Sequence, residues 1–481
     1  MDRTTEAGKP KRAAASGSPP KSLDTYLDLI RSDPAEFRTV SRTVNPMNFD
    51  VTGLLAQLDR RGEYPAVQFE NPLNMHGEPS KFPILTNLWA TRERCAEACG
   101  LPRSEAGRQL GSRFAEMVGR KREPVIVSEA PVHANVYQGG QADMWMFPGV
   151  RHFEMDLGPV FLMGLIARAP GESFYNITFT KTFPETGQRG GFTIHTPHML
   201  RMTREWERRG ERCPVVNVLG HHPGFWLGTL NNTPWGDNEY ATAGGFLQES
   251  VRLVPSVTWG KDFLVPADAE IIIEGEIVPG ERTIVNPFGD ISRQYQAQQL
   301  APYMEVTAIT HRDNALFQDV FSGHRDHILL GSIAREGAIY NHVQSKFGNV
   351  TGVHMPFSAC GRYTVYISIR KTEEGQAKQA ALMALAQVPN LQVVVVVDDD
   401  IDVFNEEDVL WAVNFHVDPR RDIDLIKNVR AGADPRGLGS SRLIIDATRP
   451  THIAFPTRLR VPEEAIARMK LEEWLDSVKG K

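Results

Sequence analysis

Ala269–Glu281, AEIIIEGEIVPGE, and the stretch Ile284–Asp290 just after it, IVNPFGD, decide how the middle of the chain is read. The first is rich in Ile and Val, broken by Glu and closed by Pro279-Gly280, the composition of a strand running into a turn. In the second, Pro287 fixes its own φ and pushes Asn286 toward an extended conformation, while Gly289 permits backbone angles that other residues avoid. The turn is therefore rigid, and Asp290 leaves it in a set direction. A turn Asp ordinarily caps its own backbone. This lone carboxylate becomes chemically interesting only if other parts of the chain converge on it.

Outward from this point the same texture repeats from about Glu123 to His311. EPVIVS, FYNITFTKTF, GGFTIHT, PVVNVLG, SVRLVPS and YMEVTAITH alternate Val, Ile, Thr and Phe with polar residues and are punctuated by Gly and Pro. Many short strands of this kind predict a barrel or sandwich-like β-domain. Upstream, LDTYLDLIRSDP, VTGLLAQLDRRG and ATRERCAEACG read as helices stopped by Pro34, Gly62 and Gly100, with YPAVQFE as a strand between them. Downstream, YTVYISIR, EEGQAKQAALMALAQ and LQVVVVVDDD read as strand, helix and a strand covered on both faces, a βαβ unit. PEEAIARMKLEEWLDSVKG reads as an amphipathic helix that packs on the body or on a partner subunit. The expected fold class is a multi-domain α/β chain: a disordered tail over 1–21, an N-terminal α/β domain over 22–122, a central β-barrel domain over 123–320, a C-terminal α/β domain serving oligomerisation over 321–460, and a C-terminal helix over 461–481.

The 481 residues are 41% hydrophobic and 23% charged with a formal net charge of -6, which argues against nucleic acid and acidic membranes as general partners. Cys95, Cys99, Cys213 and Cys360 show no paired CxxC spacing, which disfavours a structural zinc site and a disulfide framework. There is no apolar run of roughly 18 residues and no apolar core of a secretory signal at the N-terminus. A cytoplasmic location is expected.

Four segments hold residues able to do chemistry. In YNITFTK, Asn176 and Lys181 are an odd number of residues apart and would face opposite sides of a regular strand. FTIHTPH and GHHPGF hold His195, His198, His221 and His222, each open to a role as metal ligand, base or hydrogen-bonded structural residue. In WGDNEYATAGG, Glu239 beside small residues on a turn could meet a hard cation and leave room for a phosphate. In GLGSSRLIIDAT, Gly437 and Gly439 let backbone amides approach a phosphate and Arg442 could neutralise it. The loop SGHRDHILLG, with His324, Arg325 and His327, faces either the pocket or solvent. The nucleotide fingerprints GxGxxG and GxxxxGK[ST] and the GxSxG elbow are absent.

Taken in order, these pieces resemble the UbiD family of decarboxylases, which use prenylated FMN. The resemblance runs from about Asn71 to Pro450 and is most specific in LVPADAEIIIEGEIVPGE with NPFGD, in VVVVDDDIDVFNEEDVLWAV with DPRRD, and in GLGSSRLIIDAT. It implies a flavin-reductase-like split barrel in the centre. It implies that Asn176, His195 and Glu239 hold a divalent ion, commonly manganese, which joins them to the cofactor phosphate, with potassium nearby. His195 is preferred over His198 because GGFTI fits the strand before the family's ligand. Arg442 falls where the family places a phosphate-binding Lys. The implied activity is non-oxidative, reversible decarboxylation of an aromatic, heteroaromatic or α,β-unsaturated acid, with a flavin prenyltransferase supplying the cofactor and a homodimer or larger homo-oligomer as the assembly.

The chain departs from the family in its proton network. Where the family has an Arg, at the end of N-x-G-x-Y-R, this chain has Lys181; Asn286 is read in place of the first acid of EGP[FY]G[DE]; the second acid survives as Asp290. Lys keeps the charge but loses the planar fork, and Asn carries no proton at neutral pH. The resemblance thus implies Asp290 as proton donor, Lys181 as holder of the substrate carboxylate or tuner of Asp290, and Asn286 as an orienting group. The departures motivate one alternative, a catalytically silent homologue that carries prenylated FMN as a subunit or cofactor carrier.

Overall fold

The computed structural model describes residues 19–231, 233–429 and 440–475. Residues 1–18 of the expected tail, Gly437 and Gly439, and residues 476–481 of the expected terminal helix lie outside the described residues. The N-terminal part runs α1 (Leu23–Ile30), β1 (Phe37–Val44), α2 (Asp50–Arg60), β2 (Ala66–Pro72), β3 (Ile84–Thr86), α3 (Arg92–Ala98) and α4 (Gln109–Val118). Ser22 starts α1 with a capping box, so the first described turn is held by reciprocal side-chain bonds. β1 and β2 pair in parallel, and β3 joins β2 antiparallel.

The central part runs β4 (Val125–Ile126), β5 (Asn135–Gln138), β6 (Phe161–Ala167), β7 (Asn176–Thr186), β8 (Arg189–Thr193), α5 (Pro197–Arg208), β9 (Cys213–Leu219), α6 (Pro223–Thr229), α7 (Glu239–Leu247), β10 (Arg252–Ser256), β11 (Gly260–Pro266), β12 (Ile271–Ile277), β13 (Thr283–Val285), β14 (Phe288–Gly289), β15 (Tyr295–Gln296), β16 (Gln299–Ala301), β17 (Tyr303–His311) and β18 (Phe317–Gln318). Strands β12, β9, β6, β7, β8 and β17 follow one another and β17 returns to β12, so six strands close a barrel, with β5 added on β17. Closure removes the sheet edges that a barrel-forming sequence would otherwise expose. The unbroken Ile271-Ile272-Ile273 run is fully buried because one face lines the barrel and the other is covered by neighbouring elements.

β18 pairs with β3, so the chain leaves the barrel by extending the N-terminal sheet. Residues from Leu23 to Ile333 accordingly contribute to one continuous hydrophobic core. Three helices, α5 to α7, interrupt a region whose sequence reads as purely β. The reason lies in α7: all nine residues of EYATAGGFL are buried, so it has no polar face for a helical period to reveal.

The C-terminal part runs α8 (Arg325–Phe347), β19 (Val350–His354), β20 (Thr364–Ile369), α9 (Gln376–Gln387), β21 (Val393–Asp398), α10 (Glu406–His416), β22 (Ile423–Val429), β23 (Ser440–Ala447), α11 (Glu463–Arg468) and α12 (Leu471–Trp474). The sheet order is β19-β20-β21-β23-β22, parallel through its β20-β21-β23 centre. The stretch SGHRDHILLG is not a loop: Arg325 begins the 23-residue helix α8, whose Asp326 and His327 are buried. The C-terminal segment, expected as one amphipathic helix packed on the body or on a partner subunit, is over its described residues two short helices that leave Ile466, Leu471 and Trp474 exposed. Among the described residues no helix is long and apolar enough to cross a membrane.

Candidate active site

The NPFGD stretch forms half of a small hairpin, with Phe288 and Gly289 of β14 paired to Gln296 and Tyr295 of β15. Gly289 does not use a left-handed backbone, contrary to the expectation that a special φ explains it. It is bare because the Phe153 ring lies on it: a Cβ there would stand 2.2 Å from the ring carbon Cδ2. The Asp156 carboxylate accepts the Gly289 amide at 3.0 Å, and the Ser322 hydroxyl donates to the Gly289 carbonyl at 2.9 Å. The hairpin is therefore clamped on both sides of Asp290.

Asp290 does not spend its carboxylate as an ordinary turn cap. Lys181 Nζ of β7 donates to Asp290 Oδ1 at 2.6 Å, and Gln296 Nε2 donates to Oδ2 at 3.0 Å. Lys181 is buried and its ammonium also lies 5.1 Å from the centre of the Phe288 ring. Burial pushes the Asp290 carboxyl up, but the charge and hydrogen bond of Lys181 outweigh it and hold the group below the usual carboxylate range.

Asn286 is not part of this pair. It is exposed, accepts from Gln298 Nε2 at 3.4 Å, and opens on a cavity of about 310 Å³ shared with Leu157, Phe183 and Phe288. Counted back from Asp290, moreover, EGP[FY]G[DE] sets Asn286 opposite its Gly and Val285 opposite its first acid. Val285 is 1% exposed and packed with Phe288 and Ala301. An apolar side chain thus stands where the family has its first carboxylate.

A second polar cluster sits at the start of β7. That strand keeps unbroken register with β6 from Asn176 to Thr182, so Asn176 and Lys181 do lie on opposite faces. β8 pairs with β7 only from Lys181 onward, which leaves the Ile177 amide to be taken by the Glu239 carboxylate. Glu239 also accepts from Asn176 Nδ2 at 2.7 Å and Thr233 Oγ1 at 3.2 Å. It is the first residue of α7 and fully enclosed, rather than an exposed turn carboxylate. Burial pushes its pKa up to about 8. Asn176 Oδ1 is buried with no hydrogen-bond partner. A buried carboxylate beside an orphaned amide oxygen is a donor set suited to a hard cation.

His195 lies two residues past β8, exposed. Desolvation lowers its pKa, opposed by Asp290 and reinforced by Lys181. His195 thus feels the charges of Asp290 and Lys181, and it makes no direct hydrogen bond to Asn176 or Glu239. His198, in the first turn of α5, packs edge-on to Trp235 with ring centres 5.4 Å apart. His221 and His222 are structural: His221 Nδ1 accepts the His222 amide at 2.8 Å and His222 Nδ1 caps α6 through the Gly224 amide at 3.1 Å. Arg442 is buried on β23, where it donates to the Pro389 carbonyl at 3.2 Å. Among the described residues no three of His, Cys, Asp and Glu converge as a metal site, so a cation here draws on the Asn176 amide.

Two residues not singled out as catalytic also interact electrostatically with Asp290. The buried His327 of α8 accepts the Gly323 amide through Nδ1 at 3.2 Å, and its pKa is driven well down by burial and by the charges of Lys181 and Arg362. Arg362 is the other, and it meets Arg335 of α8 across Gly331, where a methyl would stand 3.0 Å from Arg362 Nη2 and 2.8 Å from Arg335 Nη1. His327, Gly331 and Arg335 fall four apart on one face of α8, a spacing visible in the sequence once the segment is known to be helical. Arg362 carries no such signal.

Three domain models of 3-octaprenyl-4-hydroxybenzoate carboxy-lyase, UbiD, match the chain: the N-terminal domain over residues 33–114, the Rift-related domain over 124–325 and the C-terminal domain over 328–447. The gallate decarboxylase of Lactiplantibacillus plantarum is 27% identical over 492 residues, covering 95% of this chain and 98% of that protein. An evolved dimeric form of the UbiD-class enzyme HmfF of Pelotomaculum thermopropionicum, in complex with prFMN, superposes with a TM-score of 0.85 at 30% identity, covering 94% of this chain and 100% of that one. The 3,4-dihydroxybenzoic acid decarboxylase of Enterobacter cloacae shares the fold, with a TM-score of 0.80 at 24% identity over 94% of this chain and 99% of that one.

Proposed function

Since the chain belongs to the UbiD family of carboxy-lyases, we propose that it catalyses non-oxidative, reversible decarboxylation of an aromatic, heteroaromatic or α,β-unsaturated acid with prenylated FMN, and that Asp290 is the proton donor. The observation that carries this reading is the 2.6 Å pair of Lys181 and Asp290, set by β7 and the clamped hairpin. Support for the cofactor comes from HmfF, a relative in complex with prFMN. When bound, that group supplies the electron sink for the carbon that loses carbon dioxide.

The chain's own residues would hold the cofactor and manage one proton. Asn176 and Glu239, with His195, would bind a divalent ion, manganese in the first instance, against the cofactor phosphate, with potassium nearby; Arg442, enclosed in the C-terminal sheet, is not brought to this cluster. Asp290 rests ionised in this pair. A substrate carboxylate that draws on the Lys181 charge raises the Asp290 pKa, and the acid then forms where it is needed, through Lys181 or solvent. Phe153 and Phe288 shield the pair from water on the hairpin side. A flavin prenyltransferase would supply the cofactor, and a homodimer or larger assembly is expected.

The test is a screen of carboxylic acids against protein co-produced with a prenyltransferase, with product detection and deuterium incorporation from solvent. Asp290→Asn should lower both by at least ~100-fold. An unchanged rate in that variant removes Asp290 as donor. Holo-protein that binds the cofactor yet releases no carbon dioxide from any acid would instead mark a cofactor carrier.

A further inference from the structure

Asp290 takes its direction from two stretches of chain that belong to no strand or helix. The first, residues 147–160, brings the Phe153 ring onto Gly289 and the Asp156 carboxylate to the Gly289 amide. The second, residues 319–324, brings the Ser322 hydroxyl to the Gly289 carbonyl, and its Gly323 runs so close that a Cβ there would stand 2.8 Å from the Asp290 carbonyl oxygen. A strand is fixed by its ladder of backbone bonds. Stretches without one hold only as well as their individual side-chain contacts.

His152 and Asp319 tie the two stretches together. Nε2 of His152 lies 3.1 Å from Oδ1 and 3.2 Å from Oδ2 of Asp319, and the two side chains are 0% and 1% exposed. Facing a carboxylate, Nε2 is the nitrogen that carries the hydrogen and donates it. The acceptor is itself seated, because the Asp319 amide donates to the Leu85 carbonyl at 2.9 Å and so prolongs the pairing of β3 with β18. The His152 ring packs against Phe321 at 5.5 Å and edge-on to Phe153 at 6.3 Å, one ring from each stretch, and those two rings meet at 5.3 Å. Nδ1 of His152 is buried with no partner among the described residues. A buried pair of this kind adds little stability over apolar side chains of the same shape. What it adds is direction, since a hydrogen bond has a preferred angle and an apolar contact has none.

We propose that His152 and Asp319 are positioning residues for proton transfer: their bond locks the two stretches to each other and so holds the Asp290 carboxyl in line with the carbon that takes its proton. This rests on the decarboxylase reading above. The pair carries no proton to the substrate; it acts through the hairpin alone. The effect is large because a reacting group displaced by about 1 Å loses on the order of 100-fold in rate.

The test combines holoenzyme kinetics with backbone hydrogen exchange, read by mass spectrometry, in the parent, in His152→Gln and in the double variant His152→Phe with Asp319→Leu. The double variant replaces the pair by apolar side chains of similar shape and should unfold near the parent urea midpoint. His152→Gln keeps a donor where Nε2 stands. In the double variant, the amides of Gly289 and Asp290 should exchange at least ~10-fold faster while those of β12 do not change. Its kcat should fall roughly 10- to 100-fold with KM within about threefold, and the solvent deuterium isotope effect on kcat should rise as proton transfer becomes limiting. His152→Gln should stay within about threefold of the parent throughout. Unchanged exchange at the hairpin, or faster exchange with kcat per folded holoenzyme unaltered, overturns the proposal and leaves the decarboxylase reading standing. A double variant that loses stability and activity in step marks a structural role only and overturns it as well. A His152→Gln variant as slow as the double variant does the same, by making the ring rather than the bond the working part. If the parent turns over no acid, the decarboxylase reading fails, and the exchange of the Gly289 and Asp290 amides decides whether the pair anchors the hairpin.

Discussion

Glu336 offers the sharpest physical test, because one buried carboxylate joins three parts of the chain. It is 0% exposed on α8 and accepts from Arg92 Nη1 at 2.9 Å, from the His354 ring at 2.9 Å and from the Met355 amide at 3.0 Å. Burial alone would push its carboxyl up; Arg92 and His354 outweigh that and hold it at about 2 against an ordinary 4.5. At about 1.4 kcal/mol per pH unit, the difference amounts to about 3 kcal/mol of stability. The folded-state pKa is the lower one, so this contribution is complete above about pH 4.5 and is lost as pH falls toward 2. Glu336→Gln removes the charge while keeping the shape. Urea unfolding followed by tryptophan fluorescence from pH 7 to pH 3 should show the variant weaker by about 3 kcal/mol at neutral pH, with the gap narrowing steadily below pH 4.5. Two curves that stay parallel across that range would refute the reasoning.

Lys181→Met leaves burial as the dominant influence on Asp290, so its carboxyl should stay protonated to higher pH and the limb of the kcat/KM profile that it controls should move up by at least about one unit; an unmoved limb argues against the pairing. Replacing Asn176 by Ala together with Glu239 by Gln should lower manganese per protein at least tenfold by elemental analysis, with unchanged content assigning the ion elsewhere. Gly289→Ala puts a methyl 2.2 Å from a Phe153 ring carbon, which overpacks the hairpin by about 1–3 kcal/mol and should cut activity with it. Deleting the chain from Leu459 onward removes Leu459, Ile466, Leu471 and Trp474, all exposed apolar residues; light scattering should show a smaller assembly, and an unchanged mass would clear this segment of any interface role.

The barrel was legible because its strands are rich in Val, Ile, Thr and Phe and are bounded by Gly and Pro, as in β7, β12 and β17. α7 was not, since a helix buried all round has no period. α8 was hidden for the same reason: its first turns, RDHILLG, contain three charged or titratable residues that read as a loop, yet Asp326 is buried because it accepts the Trp89 amide at 2.6 Å. Lys181 and Asp290 could be named from their segments, but their contact spans 109 positions and depends on a hairpin docking against the barrel. Arg362 lies beyond any sequence signal, because only the fold sets it against Gly331 of α8 and within the field of Asp290.

The uninterrupted register of β7 makes that strand a ruler with two marked positions. Its first mark, Asn176, belongs to the cation set, and its second, Lys181, to the proton pair. Replacement of side chains along it leaves both marks where they are. Insertion or deletion of a single residue between them would turn Lys181 to the Asn176 face and break its alignment with the hairpin. Among descendants of this sequence, β7 should therefore diverge freely in residue type while its length between the two marks stays constant.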